Sequence, residues 1–158
     1  MIHEALSLLE LMPAEAMLVG AEAQDWREAI RAAGDGLVRS GATTDDYTDQ
    51  MIETVEKLGP YIVIAPGLAL AHARPSAAVL RTGLSWAGLA RPVEFGHAHN
   101  DPVRLVVGLA GTDHAAHSTA LAQLAQLMST PGALDALTAA PTVSEVRNVI
   151  TDYERSTS

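Results

Sequence analysis

The sequence has no cysteine, one lysine (Lys57), one phenylalanine, and only 4% aromatic residues among its 158. Without cysteine there is no disulfide, no thiolate nucleophile and no thiolate metal ligand, which suits a reducing compartment. Ten basic residues face nineteen acidic ones, giving a formal net charge of −9, and the arginines are scattered. Nucleic-acid binding needs clustered Lys and Arg to neutralise phosphates, so no nucleic-acid partner is expected. An acidic surface instead favours a partner with a basic face. No apolar run reaches the length of a membrane-spanning helix. The opening MIHEALSLLELMPAEAM carries Glu4 and Glu10 and lacks the basic start of a signal peptide. These features point to a cytoplasmic protein that does not insert into a membrane. A Walker-type phosphate loop, a G-x-S-x-G nucleophile elbow and a carboxylate-rich metal site are also missing, so neither cofactor nor metal is expected.

What is present is a large aliphatic fraction. Hydrophobic residues make up 48% of the chain. With so few aromatics the core must come from Ala, Leu, Val and Ile, and 1–158 is long enough to bury it as one domain. Residues 1–12 read as a short amphipathic helix or strand ended by Pro13, and AMLVGA (16–21) as a strand. From Asp25, residues Trp26, Ala29, Ile30, Ala33, Leu37 and Val38 recur at helical spacing up to Gly41. Thr43 and Thr44 before Asp45 and Asp46 start a second helix, carried by Tyr47, Met51, Ile52, Val55 and Leu58 to Gly59 and Pro60. The texture then changes. YIVIA (61–65), LALAH (68–72), VLRTGLSWAGL (79–89), the short PVEF (92–95) and VRLVVGLAG (103–111) read as strands, with turns at Pro66–Gly67 and in GHAHNDP (96–102). HAAHSTALAQLAQLMS is helical, and short helices follow over 132–140 and 142–153, the last opened by Thr142 and Glu145 as a capping box. The tail ERSTS is expected to fray. This order predicts an α/β fold: a three-layer α/β/α sandwich with a mixed, roughly five-stranded sheet flanked by helices.

Six histidines carry the candidate chemistry, of which His3 lies too near the terminus to be informative. His97 and His99 share one face of an extended segment and, with Asp101, resemble part of a metal site; the alternative is a polar surface hairpin. His114 and His117 share a face at a helix start capped by Thr112 or Asp113. Free N–H groups and the dipole make that end an anion site, unless it is only a solvated first turn. His72 ends the apolar run LALAH, where a sheet presents reactive groups. Arg74 can hold phosphate or carboxylate oxygens, and Pro75 stiffens the exit. The alternative is a core histidine satisfied by backbone. If the strands ending at 72 and 111 point the same way, His72, His117, the arginine and the helix N-terminus meet in one crevice. An ordinary imidazole is largely neutral at pH 7 and can attack phosphorus, so this set suits holding a phosphoryl group on histidine.

GLALAHAR and DHAAHSTALAQL, in this order, resemble the two signature elements of a known family. It is the enzyme IIA component of the bacterial phosphoenolpyruvate-dependent sugar phosphotransferase system (PTS), of the mannitol–fructose type (EIIA type-2). The likeness runs from about Ala16 to about Tyr153, and YIVIAPGLALAHARP with FG…NDPV (95–103) looks most like the ascorbate branch. The resemblance implies that His72 accepts a phosphoryl group from the histidine carrier protein HPr. It would pass the group to a cysteine of a cognate IIB component, and so indirectly serve a membrane IIC component in sugar uptake. It also implies that His117 stands beside His72 and stabilises the phosphoryl group. Arg74 and His114 are added from their positions as phosphoryl-binding residues. Two departures stand out. Ala71 replaces the family's proline, and MIETVEKLG lacks the arginine that the mannitol type carries in its second helix, so charge neutralisation must come from elsewhere. The competing readings are a regulatory IIA-like domain that signals phosphorylation state, and a small metal-binding structural domain using His97, His99 and His114.

Overall fold

The computed structural model describes residues 7–156. In chain order the elements are α1 (Leu8–Leu11), a 3-10 turn (Ala14–Ala16), β1 (Met17–Ala21), α2 (Trp26–Arg39), α3 (Asp45–Leu58), β2 (Val63–Ala65), β3 (Leu68–His72), β4 (Gly83–Val93), β5 (Val103–Ala110), α4 (His114–Met128), α5 (Ala133–Ala139) and α6 (Val143–Ser156). The five strands form one sheet in the order β1-β4-β5-β3-β2. β1–β4 and β3–β5 are parallel, and β4–β5 and β2–β3 antiparallel, so the sheet is mixed as expected.

Residue size along the strands sets the layers. Successive strand side chains face opposite sides, and in LALAH leucine alternates with alanine. Leu68, Leu70, Leu84, Trp86, Leu105, Val107 and Leu109 cluster with residues of α1, α4, α5 and α6 on one face. Ala69, Ala71, Ala87, Val106 and Ala110 cluster on the other with Ala29, Ile30, Ala33, Leu37, Tyr47 and Met51 of α2 and α3. On this small-residue face α2 lies close: Ser85 Oγ donates to Ala33 O at 2.7 Å, and a Cβ on Gly108 would collide with that hydroxyl. Each fully buried leucine, such as Leu84 or Leu109, contributes about 2 kcal/mol of burial free energy.

Local signals explain the helix starts. The Asp25 side chain accepts from Glu28 N at 2.9 Å, and Thr142 Oγ1 accepts from Glu145 N at 3.1 Å, both as N-caps. Three readings change. Residues 79–82 are not part of a strand: the Leu80 and Arg81 amides both donate to Ala42 O, and Val79 makes only a single bridge to Thr43, so the α2–α3 connection claims this stretch. Of the separate strand expected over 92–95, Pro92 and Val93 are instead the end of β4 and Glu94 and Phe95 lie outside it; this end is reached across a register shift between Gly88 and Val93, next to Pro92, which has no amide to donate. The tail does not fray at Glu154, because α6 runs through Ser156 and the Glu154 carboxylate accepts the Leu8 amide at 2.9 Å. His3 lies outside the described residues. Among the described residues no helix is long and apolar enough to cross a membrane.

Candidate active site

The crevice forms where two parallel strands end side by side. His72, the last residue of β3, pairs in register with Leu109 of β5, and α4 starts a few residues beyond β5. His72 Nδ1 lies 2.8 Å from Leu70 O. A carbonyl only accepts, so the ring proton sits on Nδ1 and Nε2 carries the lone pair. The His117 ring stands 5.6 Å from the His72 ring at 65°, and the Tyr61 ring 5.5 Å away at 83°. Around them opens a crevice of about 590 Å³ lined by Gln50, Glu53, Thr54 and Leu58 of α3, by Tyr61, by 72–76 and by His114 and His117.

Three devices hold the two histidines in place. Tyr47, fully buried in α3, donates its hydroxyl to Leu109 O at 2.7 Å, with Ala73 O at 3.1 Å, and accepts from Ala73 N at 3.0 Å. One phenol thus ties the exit of β3 to the end of β5. Burial is the main reason its pKa is pushed up to about 12, so it stays protonated. Gly111 provides the second device. A Cβ there would come within 2.6 Å of His117 Cβ and 2.7 Å of its Cα, so only glycine lets the strand end approach the first turn of α4 this closely. The third is the loop after His72, where Ser76 Oγ donates to Gln50 Oε1 at 2.9 Å and ties the loop to α3.

His117 is half-buried, and its Nδ1 is buried with no hydrogen-bond partner among the described residues. Burial first, then the neighbouring His72 and His114 rings, hold its pKa below the ordinary histidine value. The ring is therefore neutral at pH 7, with one N–H to donate.

All four residues singled out in the sequence, His72, His117, Arg74 and His114, line this crevice. Arg74 is exposed and, among the described residues, its guanidinium is in no ion pair. The expected anion site at the start of α4 changes character: Asp113, not Thr112, is the N-cap, and its carboxylate accepts from Ala116 N at 2.8 Å. A carboxylate at that end repels an anion, so side chains rather than the helix terminus must hold one. α3 does face the crevice, but with Gln50, Glu53 and Thr54 where an arginine was missed. His97 and His99 are elsewhere, in the loop before β5, the length of a strand from His114, or roughly 26 Å at 3.3 Å per residue. Asp101 Oδ2 there accepts from the amides of Phe95, Gly96 and His97, and His97 Nδ1 accepts from those of His99 and Asn100. These groups organise the turn, which is the polar-hairpin reading. Among the described residues no three His, Cys, Asp or Glu side chains are grouped to hold a metal ion.

Tyr47, Tyr61 and Gly111 were not singled out in the sequence. Tyr61 had a weak signal, as one of three tyrosines in a chain poor in aromatics. Tyr47 read only as a helix-core position and Gly111 only as a strand end.

Fold and crevice together define an α/β sandwich with a histidine pair at the sheet end, chemically suited to carrying a group on an imidazole nitrogen. The chain belongs to the EIIA 2 family of the phosphoenolpyruvate-dependent sugar phosphotransferase system, whose family model matches residues 10–153. The ascorbate-specific PTS system EIIA component of Escherichia coli K12 is 38% identical to it over 131 residues, covering 82% of this chain and 85% of the relative. Among solved structures, the mannitol-specific cryptic phosphotransferase enzyme IIA of Escherichia coli superposes with a TM-score of 0.82 at 28% identity, over 93% of this chain and 99% of the other. Enzyme IIAMTL of Escherichia coli, solved in complex with phosphorylated enzyme IIBMTL, matches with a TM-score of 0.77 at 28% identity, over 90% and 99% of the two chains. The family and fold expected from GLALAHAR and DHAAHSTALAQL are therefore those of the chain, and it is a member of a phosphotransferase family of sugar transport.

Proposed function

We propose that the chain is, as one domain, the cytoplasmic phosphocarrier of an ascorbate phosphotransferase system. It takes a phosphoryl group from HPr onto His72 and gives it to a cysteine of a cognate IIB component, which in turn serves the membrane IIC component. The observation that carries this reading is the His72 ring itself. Its Nδ1–H is committed to Leu70 O at 2.8 Å, which leaves Nε2 as the one nucleophilic nitrogen, half-exposed in an open crevice beside His117.

In the loading step Nε2 attacks the phosphorus of the donor phosphohistidine in line. The new Nε2–P bond forms as the donor N–P bond breaks, and its electron pair returns to the donor imidazole. Unloading reverses the roles: an acceptor thiolate forms an S–P bond, and the pair of the Nε2–P bond returns to His72. Such transfer needs positioning and charge stabilisation more than covalent machinery. Neutral His117 donates to a phosphoryl oxygen, and Arg74 and His114 supply the remaining donors and positive charge. With no arginine in α3, Arg74 is the one lysine or arginine among the described residues that line the crevice. Ascorbate as the sugar is supported by the 38% identity to the ascorbate-specific component. A IIB partner is supported by the IIAMTL–IIBMTL complex of a relative with the same fold.

Incubation with phosphoenolpyruvate, enzyme I and HPr from the same source, followed by intact mass, tests the reading. One acid-labile phosphoryl group is expected on the wild type and none on His72→Ala; no gain on the wild type overturns it. Chasing the loaded protein with ascorbate-type and mannitol-type IIB then tests the sugar, the ascorbate-type protein being the faster acceptor.

A further inference from the structure

Among the described residues the His72 imidazole has a single hydrogen bond, from Nδ1 to a carbonyl two residues back. That bond sets the tautomer only while it holds: a ring that rocks far enough breaks it and frees the proton to move to Nε2. In-line attack, by contrast, requires Nε2 to stay aimed at phosphorus. Two rings bracket the imidazole: His117 from α4 and Tyr61, edge-on at 5.5 Å and 83°. Tyr61 is tied to His72 through Leu70, the residue whose carbonyl holds the imidazole and whose amide holds the neighbour of Tyr61, Ile62. The Leu70 amide donates to Ile62 O at 2.8 Å, while the Leu70 carbonyl takes the His72 proton. On its other side the Tyr61 amide donates to Gly59 O at 2.9 Å. The backbone is thus held on both sides of Tyr61, and rocking of the imidazole toward the tyrosine ring is blocked.

We infer that Tyr61 is a positioning residue for His72, and that its ring rather than its hydroxyl keeps Nε2 aimed into the crevice. Burial raises the phenol pKa, so the ring stays neutral and brings no negative charge against an incoming phosphoryl group. Because the residue is 41% exposed, removing its side chain disturbs little of the core. The inference rests on the phosphocarrier reading for its rate but not for its geometry.

The test uses Tyr61→Phe and Tyr61→Ala in the full chain. Single-turnover uptake from phosphorylated HPr is measured against HPr concentration, and the His72 tautomer is read from ring nitrogen shifts by NMR. Tyr61→Phe is expected to behave as wild type. Tyr61→Ala is expected to lower the saturating rate about tenfold to a hundredfold, with an unchanged melting temperature and a mixture of Nδ1–H and Nε2–H forms at His72. A wild-type saturating rate in Tyr61→Ala, or a change only in the half-saturating HPr concentration, overturns positioning. Equal loss in Tyr61→Phe overturns the assignment to the ring. If wild type takes up no phosphoryl group, the phosphocarrier reading fails separately. The tautomer ratio then decides alone: an unchanged ratio in Tyr61→Ala overturns the inference and a mixed one sustains it.

Discussion

His72 and His97 are each fixed by their own backbone, in opposite senses. His72 gives its Nδ1 proton to a carbonyl and is left with a bare Nε2. His97 takes two amide protons on Nδ1, so its ring proton is on Nε2 and its lone pair is already used. One local hydrogen bond thus separates a nitrogen available for attack from one that serves a turn. The neighbours sharpen the contrast. His117 reaches His72 from a distant part of the sequence, across the end of a parallel strand pair. His99 is merely two residues from His97, with rings 6.3 Å apart. Proximity in the sequence made the second pair look like a ligand set, yet the first is the one brought together by the fold.

The sharpest way to break this comparison is to exchange the losses. His97→Ala is expected to leave phosphoryl uptake at the wild-type level while His72→Ala abolishes it, as read by intact mass; any loss in His97→Ala refutes the division of roles. Next in size is Gly111→Ala. The added methyl group must displace the first turn of α4, since it meets His117 backbone. Overpacking of this kind costs about 1–3 kcal/mol, which denaturant unfolding would detect, and a displaced His117 slows uptake about tenfold or more. A matched change at Gly96, which has open space around it but a left-handed backbone, should lower stability without slowing uptake.

The smallest effect is on pH dependence. The folded state holds the His117 pKa below its ordinary value, chiefly through burial, then through His72 and His114. The unfolded chain therefore binds a proton there more readily. Below an ordinary histidine pKa of about 6.5, stability falls as pH drops, and the loss is complete once pH passes below the folded value. His117→Gln should flatten that part of the stability curve, measured as urea midpoints between pH 7 and pH 5. An unchanged slope would mean that His117 is solvated like a free imidazole.

Much of this was legible in the sequence. LALAH carries its own layer assignment, because the strand period of two puts leucines on one face and alanines on the other. GLALAHAR and DHAAHSTALAQL pointed to both histidines of the pair, and strand adjacency supplied the rest. The length of β4 was not legible, because Pro92 reads as a boundary and only pairing with β5 shows that the strand continues past it. The role of Asp113 was not either, since the same residue that signals a helix start also removes that start as an anion site. Tyr47 and Gly111 act through contacts with residues far along the chain, a hydroxyl reaching Leu109 and a missing methyl group beside His117. Neither kind of contact leaves a local pattern to read.

The triple bond set of Tyr47 also has a consequence in time. To exchange its proton with solvent, the Ala73 amide must part from a phenol that is itself held to β5, which requires α3 and two strands to separate together. Openings of that kind approach global unfolding in cost, whereas loop amides exchange through small local fluctuations. The peptide adjoining His72 should therefore be among the slowest to exchange in the molecule, although the imidazole it carries is half open to water. The imidazole is exposed, but the clock of its backbone is set by the core, so the ring is presented to solvent in the same geometry throughout.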